Sequence, residues 1–84
     1  MENPAFTRLR WSCRRGMLEL DVILIKFLEN IFLTLSSEKQ ADFIELLNCT
    51  DPELFSWLLG TEIPQNPRWA ALIAEIRHYA KTSH

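Results

Sequence analysis

Three Asx-Pro pairs punctuate this chain and constrain its fold more than any other feature: Asn3-Pro4, Asp51-Pro52 and Asn66-Pro67. Each reads as a helix start. The Asx side chain accepts from a free backbone N–H of the first turn, and the proline takes the first helical position, where its missing N–H costs nothing. Ser37 with Gln40 and Thr50 with Glu53 add the spacing of capping boxes. The two glycines, Gly16 and Gly60, each follow a helical pattern, where a left-handed C′ residue is wanted. These signals predict five helices, at about 4–15, 17–34, 38–48, 52–59 and 67–81. The expected fold is all-α, a small five-helix bundle in a single domain over residues 1–84. Connections are short except at 60–66, where Gly60, Pro64 and Pro67 mark a loop.

The second helix is the most apolar. At about 100° per residue, Glu19, Lys26 and Asn30 share one narrow stripe, with Ile23 beside it and Val22 and Leu33 on its flanks. The rest of the circumference carries Leu20, Leu24, Phe27, Leu28, Ile31 and Phe32, as expected of a central, mostly buried helix. Asp21 falls on the apolar side. A carboxylate there needs a partner, expected to be a nearby arginine or free N–H groups.

A chain of 84 residues buries roughly 60–65% of the surface its unfolded form exposes, enough for one core but not for a core plus an enclosed active site. The net charge of −2 is unevenly spread: Arg8, Arg10, Arg14 and Arg15 outweigh Glu2 in the first sixteen residues, and the body is acidic. No apolar stretch is long and uncharged enough for a membrane span or a secretory signal, so no membrane insertion is expected. Cys13 and Cys49 form no C-x-x-C pair and read as free thiols. Positive charge beside Cys13 could lower its pKa; a small core thiol is the plainer reading.

The distinctive stretch is Arg14-Arg15-Gly16-Met17-Leu18-Glu19-Leu20-Asp21. One helix ends at Gly16 and another begins at once, which brings Arg15 and Glu19, both expected at the surface, to the sides of a residue without a side chain. A flat spot between opposite charges suits close approach by another protein. The alternative is a helix C-cap with an incidental surface ion pair, contributing about 0–1 kcal/mol.

The run from Arg8 to Asp21, R-L-R-W-S-C-R-R-G-M-L-E-L-D, resembles the signature of the succinate dehydrogenase assembly factors, or flavinators. The family's R-G-x-x-E-x-D core matches at Arg15, Gly16, Glu19 and Asp21, and its D-x-x-L-x-x-W-L segment at Asp51, Leu54, Trp57 and Leu58. The likeness covers roughly residues 6–77. It implies a small five-helix cytoplasmic protein that is not an enzyme. Such a factor binds the flavoprotein subunit of succinate dehydrogenase, and in some bacteria that of fumarate reductase, and promotes covalent FAD attachment. Carried over, Arg15, Gly16 and Glu19 form the partner-contacting centre, with Asp21 and Trp57 as nearby support and Arg8 as a rim contact. FAD belongs to the partner and is not held stably by the factor itself, and a monomer is expected. Some members have been described as antitoxins, so an antitoxin-type or other helical interaction role is the alternative.

The remaining residues form no catalytic set, phosphate loop or metal cluster. His78 reads as a cation near a helix C-terminus. Trp11, Trp57 and Trp69 are either core or partner anchors; Trp57, at helical spacing from Leu54 and Leu58, reads as core. Nucleic-acid binding through the four arginines is the other class, opposed by the acidic body and the pI near 5.6.

Overall fold

The computed structural model describes residues 4–82, and they form five α-helices and one 3₁₀ turn. Helix α1 covers Pro4–Ser12, α2 Leu18–Asn30, α3 Ser37–Leu46, α4 Asp51–Leu58 and α5 Pro67–Thr82, with the 3₁₀ turn at Phe32–Thr34. Asn3, expected to cap α1, lies outside the described residues.

The core follows the apolar pattern. Leu20, Leu24, Phe27 and Leu28 of α2 are buried against Phe43 and Leu46 of α3, Leu54, Trp57 and Leu58 of α4, and Leu72, Ile73 and Ile76 of α5. Phe27 and Phe43 lie with ring centroids 5.6 Å apart, and Tyr79 meets Phe27 edge-on at 5.9 Å. Helix α5 packs on α2, α3 and α4. The radius of gyration, 11.9 Å, is that of one compact globule of this length.

Local capping explains most boundaries. Thr50 and Glu53 form a complete capping box at α4: Thr50 Oγ1 accepts from the Glu53 N–H at 3.3 Å, and Glu53 Oε1 accepts from the Thr50 N–H at 3.1 Å. The Thr50 bonds hold the exposed Glu53 carboxyl below its ordinary pKa. Asn66 Oδ1 accepts from the Arg68 N–H at 2.9 Å, so this Asx-Pro pair starts α5 as expected. Gly60, at φ +85°, closes α4 with a Schellman pair: Gly60 N–H donates to Trp57 O and Thr61 N–H to Ser56 O.

Three expectations need correction. The second helix does not run to residue 34; it ends at Asn30, whose side-chain amide donates back to Lys26 O. The 3₁₀ turn that follows is held by Gln40 Nε2 on Phe32 O at 3.0 Å and by the Thr34 hydroxyl on Ile31 O. It swings Phe32 into the core and leaves Leu33 exposed. The α3 cap is Ser36 rather than Ser37, and Gln40 is therefore committed to Phe32 instead of a capping box. Asp51 does not cap α4 at all: Thr50 does, and the Asp51 side chain reaches Arg15.

Candidate functional site

The segment between α1 and α2 departs most from a simple helix-turn-helix. Helix α1 stops at Ser12, three residues short of the expected end, so Gly16 is not its C′ residue but the pivot of a non-helical link. Gly16 keeps the positive φ, +86°, that glycine was expected to supply. It is exposed, and a Cβ built on it would have nothing within 4 Å.

Arg15 accounts for the early end of α1. Its backbone N–H is taken by Asp21 Oδ1 at 2.7 Å, across the Gly16 turn. Its guanidinium turns inward: Nε meets Asp51 Oδ1 at 2.9 Å, Nη1 donates to Leu47 O at 2.7 Å and to Ser12 O at 3.2 Å, and Nη2 donates to Cys49 O. A planar donor fork suits several convergent acceptors, which a lysine ammonium would not fill. The expectation that Arg15 is exposed beside Glu19 is corrected by this geometry. The Arg15 side chain is 14% exposed and clamps the α1–α2 link to the loop between α3 and α4. The four acceptors draw it in, because each carbonyl and the carboxylate gains a charged donor.

Asp21 meets its expectation of a partner in free N–H groups, through the Arg15 amide. Glu19 is exposed on the first turn of α2 and makes no ion pair among the described residues. Helix α2 itself starts without a side-chain cap, since Met17 offers none. Arg8 is exposed on α1, and its carbonyl accepts from Ser12 Oγ at 3.2 Å. Trp57 is buried beside Trp69, with ring centroids 6.1 Å apart, and is a core residue of α4. The structure thus brings Arg15, Gly16, Glu19 and Asp21 to one corner, while Trp57 serves the core behind α4.

Cys13, fully buried beneath the link, has its pKa pushed up to about 12. Burial is the main cause and outweighs the nearby Arg15 charge, so the adjacent arginines do not activate this thiol. Cys49 is also raised, chiefly by burial and then by Glu53. Trp11 is 66% exposed with the Arg14 guanidinium over its ring at 5.2 Å. Among the described residues, no group of three or more His, Cys, Asp or Glu side chains is placed to hold a metal ion, and no helix is long and apolar enough to cross a membrane.

The family model described as the flavinator of succinate dehydrogenase (Sdh5) matches residues 7–80. The chain belongs to this flavinator family. It is 47% identical to the FAD assembly factor SdhE of Shewanella oneidensis over 77 residues, covering 92% of this chain and 94% of that one. It is 48% identical to the FAD assembly factor SdhE of Vibrio vulnificus over 69 residues, covering 82% and 80%. The solution structure of a UPF0350 protein superposes with a TM-score of 0.80 at 38% identity, covering 99% of this chain and 89% of that one.

For this flavinator family member, the residues that sequence reasoning missed are those that hold the corner and those that flank it. Asp51 and the carbonyls of Leu47 and Cys49 fix Arg15 from 32 to 36 positions away, a pairing that no local pattern announces. Leu18 and Val22, 78% and 42% exposed, follow Gly16 along the outer face of α2. Val22 was legible as a large apolar residue flanking the polar stripe led by Glu19, whereas Leu18, about 100° round the helix from Glu19, carried no such signal.

Proposed function

We propose that this chain binds the flavoprotein subunit of succinate dehydrogenase through the Gly16 corner and so promotes covalent attachment of FAD to that subunit. The observation that carries the reading is Gly16 itself: exposed, open on its side-chain face, and held at φ +86° in a link that Arg15 and Asp21 clamp from both sides. Another protein's backbone can come closer there than any side chain would allow. Glu19 and the exposed Leu18 offer a charge and an apolar contact next to it.

The chain is not itself an enzyme in this reading. The flavin and the client's own histidine supply the chemistry. The factor accelerates attachment by binding the client conformation in which the two are correctly placed more tightly than it binds the others, since only a difference in affinity moves such an equilibrium. It works as a monomer in the cytoplasm, it leaves FAD to the client, and the flavoprotein subunit of fumarate reductase is a second client.

The test is covalent flavin fluorescence of the succinate dehydrogenase subunit on denaturing gels from cells that have or lack this protein. Loss of the signal without the protein, and its return on complementation, are expected. Equal signal in both overturns the reading. A purified preparation that carries stoichiometric flavin would replace it with direct FAD delivery.

A further inference from the structure

We propose that the docking surface continues from the Gly16 corner along α2 into a groove against the C-terminal ends of α4 and α5, and that this groove seats an acidic segment with apolar side chains on the same flavoprotein client. This rests on the function proposed above and adds the chemistry of the client surface.

Two adjoining depressions form the track. The first lies along α2 beside the corner, between Arg14, Leu18, Val22 and Ile25. The second, of about 370 Å³, is floored by Val22, Ile23, Leu58 and Leu59. Val22 and Lys26 belong to both, so the two are continuous. Leu18, Val22 and Leu59 expose 78%, 42% and 43% of their surface along this path.

The charge of the track opposes that of the molecule. The chain carries −2 overall, yet among the described residues the groove is lined by Lys26, Arg77 and Lys81 and by no carboxylate. The neighbouring depression adds Arg14 against Asp21, and Asp21 Oδ1 is already occupied by the Arg15 amide. Of the five cations outside the track, four are matched, Arg10 with Glu29, Arg15 with Asp51, Lys39 with Glu75 and Arg68 with Asp42, and Arg8 alone has no ion pair among the described residues. Lys26, Arg77 and Lys81 have no such partner among the described residues. Gly60 helps to place one of them, for the Arg77 guanidinium lies where a Cβ on Gly60 would be only 2.6 Å away.

An occupant must satisfy both halves of this surface. A purely apolar segment would strip water from three unpaired ammonium and guanidinium groups, which is costly. A purely acidic one would leave the floor wet and gain little from burial. A segment that alternates carboxylates with Leu, Ile or Phe fits both, and its charge would also steer encounter with the factor.

The experiment titrates the apo flavoprotein subunit with the full chain, at low and at high salt, comparing the wild type with Lys26→Glu/Lys81→Glu. Both lysines are exposed, and an unchanged thermal midpoint confirms folding. The double variant should bind at least about tenfold more weakly at low salt, with most of the salt dependence gone. Unchanged affinity and salt dependence would overturn the groove. In a second arm, a benzophenone photo-crosslinker at Val22 should trap a client stretch that carries carboxylates. Capture of a stretch without them, of a second copy of this chain, or co-flotation of the chain with anionic vesicles would also overturn it. Gly16→Arg in the same titration separates the two ideas. If it abolishes binding while the lysine variant does not, only the groove fails; if neither variant matters, the Gly16 reading fails as well.

Discussion

Gly16 and Gly60 occupy nearly the same backbone conformation, φ +86° and +85°, and do different work. Gly60 is explained by the fold around it: it closes α4 with two Schellman hydrogen bonds, and the Arg77 guanidinium rests against it. Gly16 closes no helix and touches nothing on its side-chain face. The backbone strain that a side chain would feel, about 1–2 kcal/mol, is common to both. What separates them is the space in front, filled by the protein's own arginine at one turn and left open at the other. A glycine whose surroundings are filled by its own fold serves as a cap; one that is also bare outward leaves the room that the proposed docking requires.

The largest expected effect tests that contrast directly. Gly16→Arg should abolish covalent flavin on the client subunit while the isolated variant still folds, because a Cβ there has nothing within 4 Å; its stability loss should stay near about 1–2 kcal/mol by denaturant titration. A variant that fails to fold would place Gly16 with the structural glycines. Next is Arg15→Ala, which removes a guanidinium with four acceptors and leaves Asp51 without its cation. Loss of hydrogen bonds to a charged group of this kind should cost about 2–4 kcal/mol, visible as a lower urea midpoint. A loss below about 0.5 kcal/mol would mean that the clamp is incidental.

Gly60→Ala should cost about 1–2 kcal/mol, for the left-handed turn, with only a small addition because the arginine it displaces is flexible. Covalent flavin should fall no more than a few-fold, against complete loss for Gly16→Arg. Equal functional loss at both turns would erase the distinction. The smallest effect is expected of Glu19→Ala: a stability change within about 0.5 kcal/mol, with client flavinylation impaired. A large drop in thermal midpoint would make Glu19 structural.

Cys13, beneath the Gly16 link, offers a pH test. Its folded-state pKa near 12 lies above the ordinary thiol value of 9.0. The thiolate is therefore favoured in the unfolded chain. The stability held by the neutral thiol is complete below pH about 9 and lost as pH rises toward 12. Cys13→Ala should remove this part of the alkaline loss of stability, measured by urea titration between those limits.

What the sequence made legible was what neighbours decide. Thr50 with Glu53, Asn66 before Pro67, and Gly60 after an apolar run act within one helical turn, and each appears where it was read. The buried face of α2 was legible for the same reason, as a periodic pattern of many residues. The errors came where a distant group competed with a local one. Asp51 looks like a cap until an arginine 36 positions away claims it. Gln40 looks like half a capping box until the Phe32 carbonyl takes it. The run from Val22 to Leu35 gives no local sign that the helix breaks at Asn30. The corner was found by its family signature and its glycine; the inward turn of Arg15 depended on acceptors that only the folded chain assembles.

The arginine clamp has a kinetic consequence. Because Arg15 ties the link to the α3–α4 loop before any partner arrives, the corner need not be ordered at the moment of encounter. Immobilising a loose surface side chain costs about 0.5–1.5 kcal/mol each, and here that cost is already met within the fold. Recognition can then draw its selectivity from a corner that is already in place. A corner that needs no rearrangement on encounter also adds no slow conformational step to association.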